Sequence, residues 1–238
     1  MRLDTYLFQN NLVSSRSRGA NLIELGRVEV NDKIVTKASF DIKDGDKVVI
    51  IEDYDASLGG MKLSCALDKF SYDVKNRVCL DVGASNGGFT DILIKNGAKM
   101  VYALDVGECA LPLNLKLNDK VVVMDRTNAR NILPTDFPIA PELAVIDVSF
   151  ISLTLILECV KNVLTDSGEI IALIKPQFEC EKKDLSKKGI LLDKKKRDKV
   201  IDKIKNYSLS IGLKCQDVCE APHPFADKNQ EYLIYFKK

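Results

Sequence analysis

The sequence predicts an α/β protein with a mostly parallel seven-stranded sheet, preceded by a small α+β module. From residue 77 onward, short apolar runs of strand length alternate with segments of helical spacing. A glycine-rich turn joins the first of these strands to a helix. Residues 1–52 instead suggest two short helices followed by short strands, and 238 residues suffice for one typical domain plus a small one.

The composition is that of a folded protein, with 46% hydrophobic and 29% charged residues. No apolar run approaches the roughly 20 residues of a membrane span, and the first residues lack a signal-peptide core. Seven cysteines without a C-x-x-C pair favour reduced thiols over disulfides or a zinc site. The single histidine, His223, disfavours histidine-based metal sites and catalysis. We therefore expect a cytoplasmic protein without a metal.

The N-terminal module begins with two predicted helices. Ser14-Ser15 can cap the second helix and Gly26 can end it, while an Asn31-Asp32 turn separates two short strands. Basic side chains cluster around the helix pair, and dispersed surface charge is the alternative interpretation. The cluster consists of Arg2, Arg16, Arg18, Arg27 and Lys33.

Three motifs of this module resemble a small RNA-binding domain found in a small-subunit ribosomal protein, pseudouridine synthases and tyrosyl-tRNA synthetases. The motifs are Arg2-Leu3-Asp4-x-Tyr6-Leu7, Ser15-Arg16-Ser17-Arg18-x-Ala20 and Gly26-Arg27-Val28-x-Val30-Asn31. The resemblance implies that the second helix and the following strand face structured RNA, with Arg16, Arg18 and Arg27 as phosphate contacts. Such contacts position a protein without reading sequence. Residues 53–60 are expected to form a linker and residues 61–238 the second domain.

The turn after the first predicted strand of the second domain is typical of a loop that approaches a nucleotide-like ligand. Gly83 can adopt backbone angles closed to other residues, and Gly87 and Gly88 can leave room for a ligand. An ordinary strand-to-helix turn is the alternative. The predicted contacts in this loop are Gly83, Ala84, Ser85, Gly87, Gly88 and Phe89.

Polar residues at the next two strand ends complete the predicted ligand site. Asp105 lies 22 residues after Gly83 and can accept hydrogen bonds from both ribose hydroxyls of an adenosine, with Val106 beside it. Asp125 or Asn128 could meet an adenine edge, or Asn128 could cap a helix, as could its neighbour Thr127. These positions fit NAD and S-adenosylmethionine equally.

Four charged residues far apart in sequence are predicted to meet at one end of the sheet. Lys62 is expected in the first turn of a helix from Met61, where it would oppose the helix dipole. Asp147 and Lys175 follow the fourth and fifth strands, and Glu231 opens the last.

Such a set suits methylation of a ribose 2′-hydroxyl, a poor acid that needs a base and close alignment. Lys175 could be the base if Lys62 and partial burial lower its pKa, with Asp147 and Glu231 orienting the lysines. A buried ion-pair network is the structural alternative.

Motifs across the second domain resemble the TlyA family, ribosomal RNA 2′-O-methyltransferases also known as haemolysin A. The motifs are Gly59-Gly60-x-Lys62-Leu63, Cys79-Leu80-Asp81-Val82-Gly83-Ala84-Ser85-x-Gly87-Gly88-Phe89-Thr90, Arg126-Thr127-Asn128-Ala129-Arg130, Ile146-Asp147-Val148-Ser149-Phe150-Ile151-Ser152 and Ile174-Lys175-Pro176-Gln177-Phe178-Glu179. The resemblance implies a Rossmann-like, FtsJ-like domain and a catalytic set of Lys62, Asp147, Lys175 and Glu231. It also implies S-adenosylmethionine as cofactor and cytidines of ribosomal RNA or ribosomal subunits as targets.

Three other functions compete with this interpretation. An NAD-dependent oxidoreductase explains the glycine-rich loop and Asp105, but neither the paired lysines nor the N-terminal module. A non-catalytic RNA-binding factor leaves the four charged residues unexplained, and a membrane-active haemolysin lacks an amphipathic or apolar segment able to insert. One further feature is open: Lys182–Lys205 contains eleven Lys or Arg against four acids, either a solvated helix face or a polyanion contact.

Overall fold

The chain folds into two compact units, Met1–Leu58 and Gly59–Lys238. The structure is a computed structural model that describes residues 1–10, 12–13, 15–24, 26–43, 45–50, 58–222 and 228–238. His223, Ser14 and most of the expected 53–60 linker lie outside the described residues.

The first unit packs two short helices on a small antiparallel sheet. Helices α1 (Leu3–Gln9) and α2 (Arg16–Glu24) enclose a core with strands β1 (Val28–Val30) and β3 (Val48–Ile50). The exposed strand β2 (Lys33–Ile34) completes the sheet, in the order β2-β1-β3. The Ser15 hydroxyl accepts the Arg18 N–H at the start of α2, as a helix cap does. The predicted α+β module is therefore confirmed.

The second unit is organised by a single sheet of seven strands within the described residues, in the order β6-β5-β4-β7-β8-β10-β9. The strands are β4 (Val78–Val82), β5 (Met100–Leu104), β6 (Val121–Met124), β7 (Leu143–Ile146), β8 (Glu169–Ile174), β9 (Lys214–Glu220) and β10 (Tyr232–Lys237). The first five are parallel, and β10 is antiparallel to both of its neighbours. Because the strand order reverses between β4 and β7, the glycine-rich loop after β4 lies at the switch point of the sheet.

Helices cover both faces of this sheet. They are α3 (Leu58–Lys69), α4 (Gly88–Lys95), α5 (Leu113–Lys116), α6 (Leu157–Val163), α7 (Pro176–Glu179) and α8 (Lys194–Ser210). Alternate residues of each strand enter different cores: Leu80 packs with residues of α6 and α8, whereas Cys79 packs with residues of α3 and α4. None of the helices in the described ranges is long and apolar enough to cross a membrane.

Two expectations about these elements are wrong. The continuous apolar runs predict that the first five strands are fully buried, but the third, β6, is an edge strand in which Val122 is 39% exposed. Helix α3 begins at Leu58 and not at Met61, so Lys62 lies in its second turn. The argument that Lys62 opposes the helix dipole therefore fails, since that effect is confined to the terminal turn.

Candidate active site

The four predicted charged residues form two ion pairs at the carboxyl edge of the sheet. Strand β10 pairs with β8 so that Tyr232 is opposite Ile174, which places Glu231 beside Lys175 at the same edge. Lys175 Nζ lies 2.6 Å from Asp147 Oδ1, and Lys62 Nζ lies 2.6 Å from Glu231 Oε2. The four side chains are between 12% and 19% exposed, so they are shielded but still reachable.

The environment of Lys175 is more specific than a simple ion pair. Its Nζ also donates a hydrogen bond of 2.9 Å to the Ser149 hydroxyl. The close contact with Asp147 lacks hydrogen-bond geometry, and within the described residues the buried Asp147 Oδ1 accepts no hydrogen bond. Among the residues that the structure describes, Asp147 Oδ1 is therefore held by its ion pair with Lys175 Nζ alone.

A cavity of about 370 Å³ opens next to the Lys175–Asp147 pair. Its walls come from the loop after β4, the turn after β5, residues Thr127–Ala129 and the segment Asp147–Ile151. The volume lies in the range of ordinary small-molecule sites and suits a ligand of adenosine size. Asp147 and Ser149 line the cavity and also contact Lys175, so they connect the two parts of the site.

Asp105 lines this cavity and fixes the shape of its wall. Its Oδ2 accepts the Ser85 N–H at 3.0 Å and its Oδ1 accepts the Gly107 N–H at 2.8 Å. A carboxylate oxygen can accept more than one hydrogen bond, so Asp105 can hold the loop and still accept from a ligand hydroxyl. Val106 also lines the cavity and is 72% exposed.

Asn128 lines the cavity, but the structure does not bring Asp125 to its wall. A carboxylate oxygen of Asp125 accepts the Cys109 backbone N–H, and this hydrogen bond lowers the pKa of Asp125. The Asn128 side chain accepts the Arg130 N–H in a local turn, and no helix starts there within the described chain. Of the two alternatives for the adenine edge, the geometry favours Asn128.

The glycine-rich loop contributes less to the cavity than expected. Gly83 and Ser85 line it, whereas Ala84 is buried against residues of the neighbouring strand β5. Gly87 has φ +84°, and an added Cβ would lie 2.6 Å from the Leu111 side chain. The expectation that Gly87 leaves room for a ligand is therefore corrected: its missing side chain makes room for the protein's own core.

The last two predicted loop residues belong to the start of α4. Gly88 and Phe89 are buried there, and Phe89 packs into the core beneath α3 and α4. The structure thus assigns them to the support of the loop and not to the cavity wall.

Two aromatic residues that the sequence analysis did not single out lie beside the charged pairs. Phe150 lines the cavity, is 90% exposed and has φ +64°, which is a strained conformation for a residue with a large side chain. Its ring centroid is 4.9 Å from that of Phe178. Both phenylalanines lie within three residues after Asp147 or Lys175, at strand ends already predicted to carry site residues, so their positions could have identified them as candidates.

Glu179 was also missed, although its side chain connects the two segments that carry Asp147 and Lys175. Glu179 is buried, and its carboxylate accepts hydrogen bonds of 2.6 Å from the Ser152 hydroxyl and 2.7 Å from the Leu153 N–H. Lys203 Nζ lies 3.1 Å from the same carboxylate. These contacts brace the loop after β7 against the segment after β8.

The basic residues of the first unit are partly engaged by its own core. Arg2 and Arg16 both donate to Asp4, which is only 3% exposed, and the hydrogen bond from Arg2 contributes most to holding the pKa of Asp4 well below its usual range. The two arginine side chains remain about half exposed, at 49% and 56%. Lys33 is exposed, while Arg18 and Arg27 are half-buried.

The described residues contain no group of three or more His, Cys, Asp or Glu side chains arranged to hold a metal ion.

Comparisons with known proteins match both parts of the chain to known domains. Residues 56–238 match the model of the FtsJ-like methyltransferase family, and residues 1–48 match that of the S4 domain. Hemolysin A of Brachyspira hyodysenteriae is 40% identical over 99% of both chains. The 16S/23S rRNA (cytidine-2′-O)-methyltransferase TlyA of Mycobacterium tuberculosis is 33% identical over 99% of this chain and 89% of its own length.

A solved structure described as a hemolysin from Streptococcus thermophilus is 34% identical, with a TM-score of 0.79 over 100% of this chain and 88% of that one. The chain therefore belongs to the FtsJ-like methyltransferase family, with an S4 domain at its N terminus.

Proposed function

We propose that this methyltransferase transfers a methyl group from S-adenosylmethionine to the ribose 2′-hydroxyl of a cytidine in ribosomal RNA. The observation that carries the proposal is the connection between an adenosine-sized cavity and the Lys175–Asp147 pair through Asp147 and Ser149. The names of the relatives supply the cytidine and the ribosomal RNA. A substrate in ribosomal RNA or a ribosomal subunit implies action in the cytoplasm.

The cavity residues fit S-adenosylmethionine, which supplies an electrophilic methyl group when bound. Asp105 would accept hydrogen bonds from the ribose hydroxyls, and Asn128 would meet the adenine. Gly83 and Ser85 would line the loop beside the ligand. Asp147, which lines the cavity and pairs with Lys175, would place a carboxylate near the positive charge of this ligand.

Lys175 would act on the substrate side as the general base. In its deprotonated form, Nζ would accept the 2′-hydroxyl proton while that oxygen takes the methyl group and the bond from the methyl group to the cofactor sulfur breaks, leaving S-adenosylhomocysteine. Asp147 and Ser149 hold that Nζ from two directions, which restricts it to one position. Lys62 and Glu231, paired at the same edge, would orient the ribose and its phosphate.

Phe150 and Phe178 would hold the target base. RNA-binding proteins that act on one nucleotide commonly stack an unpaired base on an aromatic side chain. An exposed, strained phenylalanine at the mouth of the cavity is suited to this role. The S4 domain would bind another part of the RNA, with Arg2, Arg16, Arg18, Arg27 and Lys33 near its phosphates.

The test is a Lys175→Ala variant assayed for 2′-O-methylation of ribosomal RNA by mass spectrometry. General-base catalysis contributes about 10²–10⁴-fold, so we expect methylation to fall by that factor while S-adenosylmethionine binding persists. Lys99→Ala is the matched control, because Lys99 is exposed and precedes β5 at the opposite edge of the sheet. Full methylation by Lys175→Ala, or binding of NAD in place of S-adenosylmethionine, would refute the proposal.

A further inference from the structure

The positive charge of the chain is concentrated in one segment of the methyltransferase domain. Lys182–Lys205 holds eleven of the 35 Lys and Arg residues and four of the 34 acids. The segment therefore carries a formal charge of +7, whereas the other residues, with 24 basic and 30 acidic side chains, carry −6. A near-neutral protein thus has a strongly basic region outside its S4 domain.

Two of the four acids within this segment are engaged in local structure, and the other two, Asp198 and Asp202, are exposed on α8. Asp184 pairs with Lys196 at 2.7 Å. Asp193 caps α8, where its Oδ1 accepts the Lys195 N–H at 2.8 Å. Eight lysines of the segment are exposed, and one of them, Lys203, pairs with Glu179. We call the other seven the lysine surface: Lys182, Lys183, Lys187, Lys188, Lys194, Lys195 and Lys199. Of these, Lys183 pairs with an exposed glutamate just before the segment.

Specific hydrogen bonds fix the lysine surface beside the candidate active site. Leu191 N donates to Asn229 Oδ1 at 2.8 Å, and Asn229 Nδ2 donates to the Gly189 carbonyl at 2.9 Å. Arg197 Nε donates to the Tyr232 hydroxyl at 3.1 Å. Asn229 and Tyr232 flank Glu231, so the segment is anchored to the same sheet edge as the two ion pairs.

We propose that the lysine surface is an RNA-binding surface of the catalytic domain that contacts the phosphates flanking the target nucleotide. This inference rests on the proposed function and deepens it by assigning a second RNA contact besides the S4 domain. Exposed lysines are mobile point charges, which suit sequence-independent phosphate contacts. The apolar residues of α8, including Val200 and Ile204, face the protein's own core, which leaves this helix no apolar face for a membrane or a protein partner.

The experiment compares two quadruple variants of the full chain. One neutralises part of the lysine surface, with Lys187→Gln, Lys188→Gln, Lys194→Gln and Lys195→Gln. The control makes the same charge change at the opposite sheet edge and replaces four other exposed lysines by glutamine: Lys75, Lys99, Lys120 and Lys214. The probe is deproteinised ribosomal RNA, and the dissociation constant is measured across a salt series, together with S-adenosylmethionine binding.

We expect the surface variant to bind RNA at least tenfold more weakly near 150 mM salt, with a salt slope smaller by about one per lost phosphate contact. Its KM for RNA should rise, while kcat at saturating RNA and the affinity for S-adenosylmethionine stay unchanged. Equal RNA affinity and salt slope in the two variants would overturn the inference. Loss of binding to phosphatidylserine vesicles without loss of RNA binding would also overturn it and indicate a lipid contact.

These outcomes are separable from failure of the proposed function. A wild-type chain that binds RNA through the lysine surface without methylating it supports the surface and refutes the function. If the wild-type chain methylates RNA, and the surface variant methylates it equally well at every RNA concentration, the proposed function is supported and the RNA-binding role of the lysine surface is refuted.

Discussion

A side chain at Gly83 should disturb the active site through the protein backbone and not through the ligand. Gly83 has φ +88°, and an added Cβ would lie 2.3 Å from the carbonyl oxygen of Asp147. Real Cβ atoms stay beyond 3.0 Å, so the Asp147 carbonyl must move by about 0.7 Å. That movement is resisted, because the Asp147 N–H donates to the Val82 carbonyl at 3.0 Å and ties β7 to β4.

The expected cost of Gly83→Ala has two parts. The positive φ costs about 1–2 kcal/mol for a residue with a Cβ, and overpacking costs about 1–3 kcal/mol. The free energy of unfolding should therefore fall by about 2–5 kcal/mol, which lowers the melting temperature by roughly 5–15 °C for a chain of this size. A displacement approaching 1 Å in a reacting group reduces rates by about 10²-fold, so kcat should fall by about 10–100-fold.

Gly212→Ala separates these two effects. Gly212 has φ +85°, but nothing lies within 4 Å of an added Cβ, so the variant incurs only the backbone cost of about 1–2 kcal/mol. Thermal unfolding and single-turnover methylation of ribosomal RNA at saturating S-adenosylmethionine provide the two measurements. If Gly83→Ala matches Gly212→Ala in both, the backbone argument is wrong. If Gly83→Ala loses only cofactor affinity, the added methyl group acts by blocking the ligand.

Two other buried carboxylates give sharp predictions. Burial raises the pKa of Asp81 from 3.8 to about 7, so its contribution to stability is complete below pH 4 and is lost as the pH rises to 7. Because of this group, the free energy of unfolding of the wild type should fall by about 2–3 kcal/mol between pH 5 and pH 8, as measured by urea unfolding. The Asp81→Asn variant should not show this fall. Glu179→Gln should lower the free energy of unfolding by about 1–3 kcal/mol and slow methylation, because an amide NH₂ replaces one of the two oxygens that accept hydrogen bonds from Ser152 and Leu153. Lys203→Ala should lower the free energy of unfolding by less than about 1 kcal/mol, since Lys203 is 47% exposed. If it lowers this free energy as much as Glu179→Gln does, the hydrogen bonds from Ser152 and Leu153 to Glu179 are not what holds the two segments together.

The strands of the sheet were predictable because both faces of a parallel sheet are covered. Strands such as β4 and β8 then appear as continuous apolar runs between turn residues. The edge position of β6 was not predictable, because Val121–Met124 is as apolar as an interior strand. The order of strands in a sheet depends on packing between segments that are distant in sequence, so it cannot be predicted from the residues of one strand.

The sequence allowed us to predict which charged residues form the site and that most of them lie at the ends of strands. It did not allow us to predict which side chains each of them contacts. Each of the four charged residues was recognised from its position next to a predicted strand or helix. Which lysine pairs with which carboxylate depends on the register between β8 and β10 and on where α3 begins. The role of Gly87 likewise depends on Leu111, and that of Asp125 on Cys109, both brought close by long-range packing.

One short segment after β7 carries both halves of the proposed chemistry. Asp147 and Ser149 contact Lys175, and Phe150 offers an exposed ring beside the cavity that all three residues line. The strained φ of Phe150 persists because Glu179 fixes the chain immediately after it, at Ser152 and Leu153. Because the same segment lines the cavity and positions the base, changes within it should alter cofactor affinity and transfer rate together. A change at Asp105, which lines only the cavity, should separate the two.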